Sequence, residues 1–573
     1  MDELEKDNKN NVKLYQYIRK QNRKQTIVNI DSKDWEKHFQ KLLRRDYDAD
    51  IMDQNQIVYR DTSDEQYLPT KEEYFNVLKC LKMNKEGGID GIVNEMFKYG
   101  GQILEEKMYE LITSIWITEK MPREWDTGII IPILKKGKPH LCTNYRGISL
   151  LNAAYKLLTS LINKKLQEIT ETEVGEYQYG FRRGRSTIDA IHSMNQIIEK
   201  CCEHNINIHI LFVDFKQAFD SINRDAMVQD MEKMGIPRKL INLVRMCIKN
   251  SKAVVAAKNG NSEEFAFNAG VRQGDGMSAT LFNIVMDRIV KNTHAEGTII
   301  NKSVQIIAYA DDLALIARDK ESLSKLLAVI TNEASKRGLD INVEKTKYLS
   351  TSKRQEGRDK KEIVIGNFKF EIVENFRYLG SIIDNEGKRQ VEITQRIQSG
   401  HRAYFKYSSI MKSSRISKDT KLRVYKAAIR SVVTYAAETM SLTRDAEEKM
   451  SRFERKIVRR IMGMKKIQDQ EYRTLMNHEI EDILKGENIV RAIKARRIRW
   501  YGHLKRMEKN KHARKITEWN PDNNRSRGRP KIRWEDQVRK DLSKLDIQEW
   551  SKKIQDRTQW KEIVEQAKTY RQL

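Results

Sequence analysis

The chain is short of cysteine, proline and apolar bulk, and it has no long hydrophobic run. Its five cysteines (Cys80, Cys142, Cys201, Cys202, Cys247) are scattered in 573 residues. None falls into a CxxC or Cys/His spacing, which excludes a structural zinc knuckle and points to a reduced, intracellular protein. Seven prolines fit a chain rich in helix. No apolar stretch approaches the length that spans a bilayer. The first eight residues, Met1-Asp2-Glu3-Leu4-Glu5-Lys6-Asp7-Asn8, are polar and lack the apolar stretch of a secretory signal. Hydrophobic content is low at 39% and charged content high at 33%. What the chain has in excess is positive charge, a formal +27. Such a balance calls for a polyanionic partner. Nucleic acid comes first; an anionic membrane surface comes second and is weakened by the missing span. The length allows several domains.

Residues 1–65 read as a charged helical lead-in, with Trp35, Phe39, Leu42 and Leu43 forming the apolar stripe of a docking helix. Thr70 and Glu73 form a capping-box pattern opening a helix expected to run toward Gly87-Gly88. A second helix covers about 104–117. The apolar run 129–134 then meets Lys135, Lys136 and Lys138, and Asn144-Tyr145-Arg146-Gly147 brings an arginine back. If the two flanking strands pair, Lys135 or Lys136 and Arg146 share a surface suited to a triphosphate. A solvated hairpin end is the bland alternative. After a helix over 153–169, Gly180-Phe181-Arg182-Arg183-Gly184-Arg185-Ser186 offers arginines for phosphate and an aromatic for stacking, as single-stranded nucleic acid requires. A basic loop without function is the other reading.

The run Ile208-His209-Ile210-Leu211-Phe212-Val213 reads as a strand buried on both faces that delivers Asp214 at its end. An ionised carboxylate there is costly without a cation or metal beside it. Helices over 218–234 and 240–248 follow, then a hairpin turning at Asn259-Gly260. Gly270-Val271-Arg272-Gln273-Gly274-Asp275-Gly276 is a glycine-rich turn entering a helix, allowing close approach of a ligand. In Gln305-Ile306-Ile307-Ala308-Tyr309-Ala310-Asp311-Asp312-Leu313-Ala314-Leu315-Ile316 two short apolar runs flank an acid pair, a strand–turn–strand pattern. Alone, that pair is a solvated turn. Together with Asp214, 97 residues earlier, it suits in-line phosphoryl chemistry with two divalent ions roughly 3.5–4 Å apart. A helix closing at Gly338, a strand after Thr346, and hairpins through Gly366-Asn367 and Phe376–Ile383 complete an antiparallel sheet backed by helices, an α+β layout.

Beyond about 390 the pattern is helical almost throughout, and no strand signal competes. Residues 491–573 hold 25 Lys+Arg against 11 Asp+Glu, a net of +14. Arg496, Arg497, Arg499 and Trp500 form one basic–aromatic cluster, and Arg527, Arg529, Arg533 and Trp534 another. Both read as nucleic-acid surface combining phosphate contact and stacking, with 520–530 a flexible linker.

Six segments in order then carry a resemblance. Lys135-Lys136 with Asn144-Tyr145-Arg146-Gly147-Ile148-Ser149, Phe212-Val213-Asp214-Phe215-Lys216-Gln217-Ala218-Phe219-Asp220, Gly270–Asp275, Tyr309-Ala310-Asp311-Asp312, Gly338–Thr346 and Tyr378-Leu379-Gly380 together resemble the reverse transcriptase of non-LTR (LINE-type) retrotransposons, closest to the RTE-like group. The resemblance implies a right-hand polymerase, α+β with an antiparallel palm sheet: fingers over 66–200, palm over 201–388 (reverse transcriptase domain about 115–385), helical thumb over 389–485 and a basic nucleic-acid-binding region over 486–573. It implies an RNA-directed DNA polymerase adding dNTPs to a primer 3′-OH with two Mg²⁺ ions (Mn²⁺ a possible substitute). Asp214 and Asp311 would bridge the ions, the Phe215 carbonyl would add a ligand, and Asp312 would support. Phe219 matches the residue that excludes a ribose 2′-OH, which disfavours an RNA-dependent RNA polymerase. Gln273 would touch the incoming nucleotide, Lys135 or Lys136 with Arg146 its triphosphate, and Lys345 would be the acid for pyrophosphate. Partners would be an RNA template and a DNA primer or target, without a membrane, in nucleus and cytoplasm.

Two departures stand out. Gly276-Met277-Ser278-Ala279-Thr280 lacks the prolines of many relatives, and Gly87-Gly88-Ile89-Asp90-Gly91 resembles a degraded Pro-Gly-x-Asp-Gly segment. No endonuclease domain precedes the fingers, so target nicking is expected to come from elsewhere. The competing reading is a catalytically inactive or domesticated nucleic-acid-binding remnant of such an element.

Overall fold

Trp35, Phe39 and Leu43, spaced four apart on helix α1 (Ser32–Leu43), are all buried. They pack with Ile130, Tyr145, Val255 and Phe265 of the first sheet, so α1 is the docking helix its stripe predicts. The computed structural model describes residues 30–45, 67–135, 137–293, 304–351, 361–468, 471–521 and 533–573. Helix α2 (Lys71–Cys80) opens on the expected capping box: Glu73 N donates to Thr70 Oγ1 at 3.2 Å and Thr70 N to Glu73 Oε2 at 3.0 Å. It stops at Cys80 rather than near Gly87. Met83 is exposed, so no buried side chain holds another turn in place.

After α3 (Gln102–Thr118) come β1 (Thr127–Leu134) and β2 (Tyr145–Leu150), antiparallel, with Ile133 opposite Arg146. Helices α4 (Ala153–Glu173) and α5 (Thr187–Glu203) lead to β3 (His209–Val213). The helix expected over 218–234 is broken in two. A single turn, Ala218–Ser221, precedes α6 (Arg224–Lys233), because the Asn223 side chain caps α6 by accepting from Asp225 N and Ala226 N. Helix α7 (Arg238–Lys249) is followed by β4 (Lys252–Ala257), β5 (Gly260–Asn261) and β6 (Phe265–Ala266). Ala257 pairs with Gly260, so the turn centres on Lys258-Asn259, one residue earlier than the Asn259-Gly260 signal.

The second sheet is built from β7 (Val304–Tyr309), β8 (Asp312–Ala317), β9 (Lys347–Ser350), β10 (Glu362–Ile365) and β11 (Phe368–Ile372), together with β3. Their order is β10-β11-β9-β3-β8-β7. Helices α8 (Ser278–Lys291) and α9 (Lys320–Lys336) flank β7–β8 in the chain. The sheet is antiparallel at its centre, where β3 pairs with β8 and β9, but β11 joins β9 in parallel. A small hairpin of β12 (Asn375–Tyr378) and β13 (Ser381–Asp384) follows.

Alternation along β3 sends Leu211 and Val213 to one face and Ile210 and Phe212 to the other. The first face meets Leu157, Leu243 and Phe282 in the largest core. The second meets Met194 and Ile197 of α5 and the chain's last helices. Both faces of β3 are therefore dry, as its unbroken apolar run requires.

Helices α10 (Gln390–Lys406) and α11 (Arg444–Met462) share a core around Tyr425, Phe453 and Ile457. One hairpin interrupts the expected all-helical stretch, β14 (Lys465–Gln468) with β15 (Glu471–Arg473). It is short and polar, which left no apolar pattern to see. Helices α12 (Ile489–Arg506), α13 (His512–Glu518), α14 (Trp534–Lys544) and α15 (Arg557–Thr569) close the chain. The fold is α+β. Among the described residues no helix is long and apolar enough to cross a membrane.

Candidate active site

The sheet register brings the three acids to one end of adjacent strands. Val213 of β3 pairs with Leu313 of β8, so Asp214 and Asp312 leave the sheet side by side. Tyr309 pairs with Asp312, making Ala310-Asp311 the two-residue tip of the β7–β8 hairpin, with Ala310 at φ 55°. Three carboxylates so placed repel one another. Asp311 is pushed above the ordinary range, chiefly by burial, with the Asp214 charge adding and Arg146 and Lys345 opposing. Asp312 is pushed up to about 6 by desolvation and then by Asp311 and Asp214. Its side chain still reaches solvent, so the like-charge crowding is the firmer cause.

Asp214 is held from behind. Its N–H donates to the buried Thr346 hydroxyl at 3.2 Å, and its carbonyl accepts from Asn342 N at 2.7 Å. Phe215 is buried and its backbone bridges to Ile341. Lys345 Nζ lies 3.4 Å from Asp214 Oδ2. That contact is an ion pair without hydrogen-bond geometry, and Oδ2 is buried with no hydrogen-bond partner. Among the described residues no group of three or more Asp, Glu, His or Cys side chains forms a complete metal cage. A hard cation that keeps waters and takes substrate phosphates needs only one or two carboxylates from the protein. Oxygen donors, an unsatisfied buried carboxylate oxygen and raised carboxyl pKa values fit such an ion.

The cations face these acids. Lys135 is exposed at the end of β1, and its ammonium is pushed down by desolvation and by Arg146, while Asp220 and Asp214 oppose. Arg146 is exposed on β2. Lys136 lies outside the described residues. The glycine-rich loop lies against β2, the strand that carries Arg146. Ser149 N donates to Gln273 O at 2.7 Å, pinning the loop to β2. Gly274 sits at φ +132°, and a Cβ there would lie 2.3 Å from Ser149 O, so only glycine fits. Phe219 stacks on Phe282 with centroids 4.5 Å apart, which fixes its ring.

Two residues with no role assigned from sequence complete the arrangement. Asp220 accepts from Gln273 Nε2 with both oxygens, at 2.8 and 2.9 Å, and so orients that amide. Its position six residues after Asp214 was the available signal. Gln178 Oε1 accepts from Ala310 N at 2.9 Å, tying the acidic turn to the segment before the arginine cluster. Nothing in its local sequence marks it.

Most of the described members of the arginine cluster and of the C-terminal clusters are bound within the fold rather than presented on a surface. Arg182 is buried and donates to Gly175 O and Glu171 O at 2.7 and 2.8 Å. Arg185 pairs with Glu176 at 2.6 Å. Arg183 and the neighbouring Phe181 remain exposed. Arg496 donates to Thr434 Oγ1 at 2.7 Å. Arg497, 1% exposed, is bound to Asp541 and Gln537. Arg533 pairs with Glu203 at 2.6 Å. Trp500 and Trp534 are core residues, and Trp534 Nε1 donates to Glu438 O at 2.7 Å. Arg499 stays exposed, while Arg527 and Arg529, with most of the 520–530 linker, lie outside the described residues.

Adjacent strand ends bearing acids, faced by cations and a glycine loop on an α+β sheet, are the make-up of a palm-type polymerase domain. Residues 133–383 match the family described as reverse transcriptase (RNA-dependent DNA polymerase). That segment is similar to a reverse transcriptase domain, and relatives it resembles carry the names of mobile elements. The chain is 28% identical over 257 residues to the "Probable RNA-directed DNA polymerase from transposon BS" of Drosophila melanogaster, covering 44% of this chain and 28% of that one. It is 25% identical over 406 residues to the RNA-directed DNA polymerase from mobile element jockey of Drosophila funebris, covering 69% and 44%. The chain thus spans less than half the length of these relatives. A solved structure of Candida albicans telomerase with a fragment of telomeric RNA is a distant likeness: 14% identity, 63% of this chain, 66% of that one, TM-score 0.37. The family works with divalent metal ions.

Proposed function

We propose that the chain is an RNA-directed DNA polymerase of a non-LTR retrotransposon, joining dNTPs to a DNA primer 3′-OH on an RNA template. The observation that carries this reading is the β3–β8 register, which sets Asp214 beside the Asp311-Asp312 turn. Two Mg²⁺ ions, with Mn²⁺ as substitute, would neutralise phosphate charge and favour in-line attack. Asp214 and Asp311, with the Phe215 carbonyl, are the proposed ligands, and Asp312 the supporting acid. Lys135 (or Lys136) and Arg146 take the triphosphate. Gln273, oriented by Asp220, meets the incoming nucleotide. Phe219, braced by Phe282, crowds a ribose 2′-OH. Lys345 supplies a proton to the departing pyrophosphate. Phe181 and Arg183, both exposed, are the proposed contacts of the template strand, and the nucleus and cytoplasm are the compartments such a cycle uses.

Primer extension on an RNA template with Mg²⁺ and dNTPs tests this. Wild type extends the primer, and Asp214→Asn and Asp311→Ala each lose about 100-fold or more. No extension by wild type, or equal extension by the variants, refutes it. Salt-sensitive RNA binding without extension would instead mark an inactive remnant.

A further inference from the structure

The last helices reach the acidic turn through one buried imidazole. His512, at the start of α13, has Nε2 2.6 Å from Gln305 Nε2 and Nδ1 3.1 Å from Tyr179 Oη. The same Gln305 nitrogen donates to Ile306 O at 3.0 Å, so it is an amide N–H, and His512 Nε2 must accept. The ring is therefore neutral with its hydrogen on Nδ1, donated to Tyr179. The Tyr179 hydroxyl passes its own hydrogen to Ser193 Oγ at 2.9 Å. Burial holds His512 neutral, at about 4.

Both partners belong to the segments that shape the turn. Gln305 lies on β7, which runs directly into Ala310-Asp311. Tyr179 N donates to Ala308 O at 2.8 Å, Ala308 N to Tyr177 O at 2.9 Å, and Gln178 takes Ala310 N. Gly180 lies so close that a Cβ would be 2.5 Å from Ala310 N. The imidazole is itself anchored. Lys200 of α5 donates to Ile516 O and Thr517 O at 2.8 and 2.7 Å, and His192 Nε2 meets Thr517 Oγ1 at 3.0 Å. Lys511 Nζ stands 3.4 Å from Glu176, the partner of Arg185.

We propose that His512 is a positioning residue, through which the C-terminal helical unit holds β7 and the 177–181 segment in the register that aims Asp311. The catalytic part of this rests on the reading of Asp311 given above. In the full chain, His512→Phe keeps an aromatic ring and removes both hydrogen bonds. Its kcat falls about 10- to 100-fold, the cost of a misplacement on the order of 1 Å, while KM for dNTP is unchanged. Amide hydrogen exchange over 304–313 quickens, and that over 444–462 does not. His512→Gln, whose carbonyl can accept from Gln305, recovers most of both. Should His512→Phe fail to fold, Tyr179→Phe removes only the hydroxyl and shifts the same two readouts. Wild-type kcat and exchange in a folded variant overturn the proposal. If wild type does not polymerise, exchange alone decides: quickened exchange upholds the brace, and unchanged exchange removes it.

Discussion

Burial pushes the Asp220 carboxyl up to about 6, against two hydrogen bonds from Gln273 and the charges of Lys135 and Arg146. An unfolded Asp titrates near ~3.9. Between those values the folded protein binds a proton that the unfolded chain does not, so this group favours folding at low pH, and its contribution is lost as pH rises through about 6. Asp220→Asn removes that titration. Thermal melts from pH 5 to 7.5 should show wild type losing more stability with rising pH than the variant; parallel curves would contradict the assignment. Asp220 was in plain view in the sequence, next to Phe219, but its partner Gln273 lies 53 residues on, and only the folded loop joins them. The tryptophans teach the same lesson in reverse. Trp500 and Trp534 among arginines look like stacking platforms, and both are buried. A core tryptophan and a base-stacking tryptophan present the same local pattern; the apolar neighbours that distinguish them come from elsewhere in the chain.

The glycine-rich loop works as an element because three contacts clamp it at once. Gln273 O accepts from Ser149 N, Gly274 packs on Ser149 O, and Val271 N donates to Phe219 O at 2.8 Å. Gly274→Ala puts a methyl into the Ser149 carbonyl at a backbone angle that L residues rarely adopt. We expect kcat to fall about 10- to 100-fold as Gln273 shifts, with the melting temperature lowered; single-nucleotide incorporation with a thermal melt checks it, and wild-type kcat would show that the loop tolerates the added carbon. Elements of this kind were legible where pattern was strong. The unbroken apolar run of β3, the acid pair between two β-branched runs and the capping box of α2 all formed as their residues predict. The early stop of α2, the break at Asn223 and the β14–β15 hairpin were not legible. The early stop of α2 is set by distant packing, the break at Asn223 by a local cap hidden inside an apolar period, and the hairpin by a short polar pairing.

At the scale of the molecule, the basic C-terminal region is packed into the body that carries the acidic turn. Ile210, Phe212, Ile307 and Ile316 on the back of the central sheet share one core with Ile498, Tyr501, Trp534 and Trp560. Burying an apolar side chain of this size is worth roughly 1.5–3 kcal/mol, and this core holds many of them on both sides of the contact. An appended tail would behave otherwise: deleting residues 486–573 would remove a net charge of +13, weaken nucleic-acid binding in a salt-dependent way, and leave a folded, monomeric protein. The packing predicts a different outcome. Deletion uncovers the apolar face of the sheet and strands the Tyr179 and Gln305 side chains, and a contiguous apolar surface of that kind drives association. The shortened chain should elute as aggregate in size-exclusion chromatography and bind a hydrophobic dye strongly, at low and at high salt alike. A monomeric product with the melting temperature of the full chain would show that the shared core is dispensable.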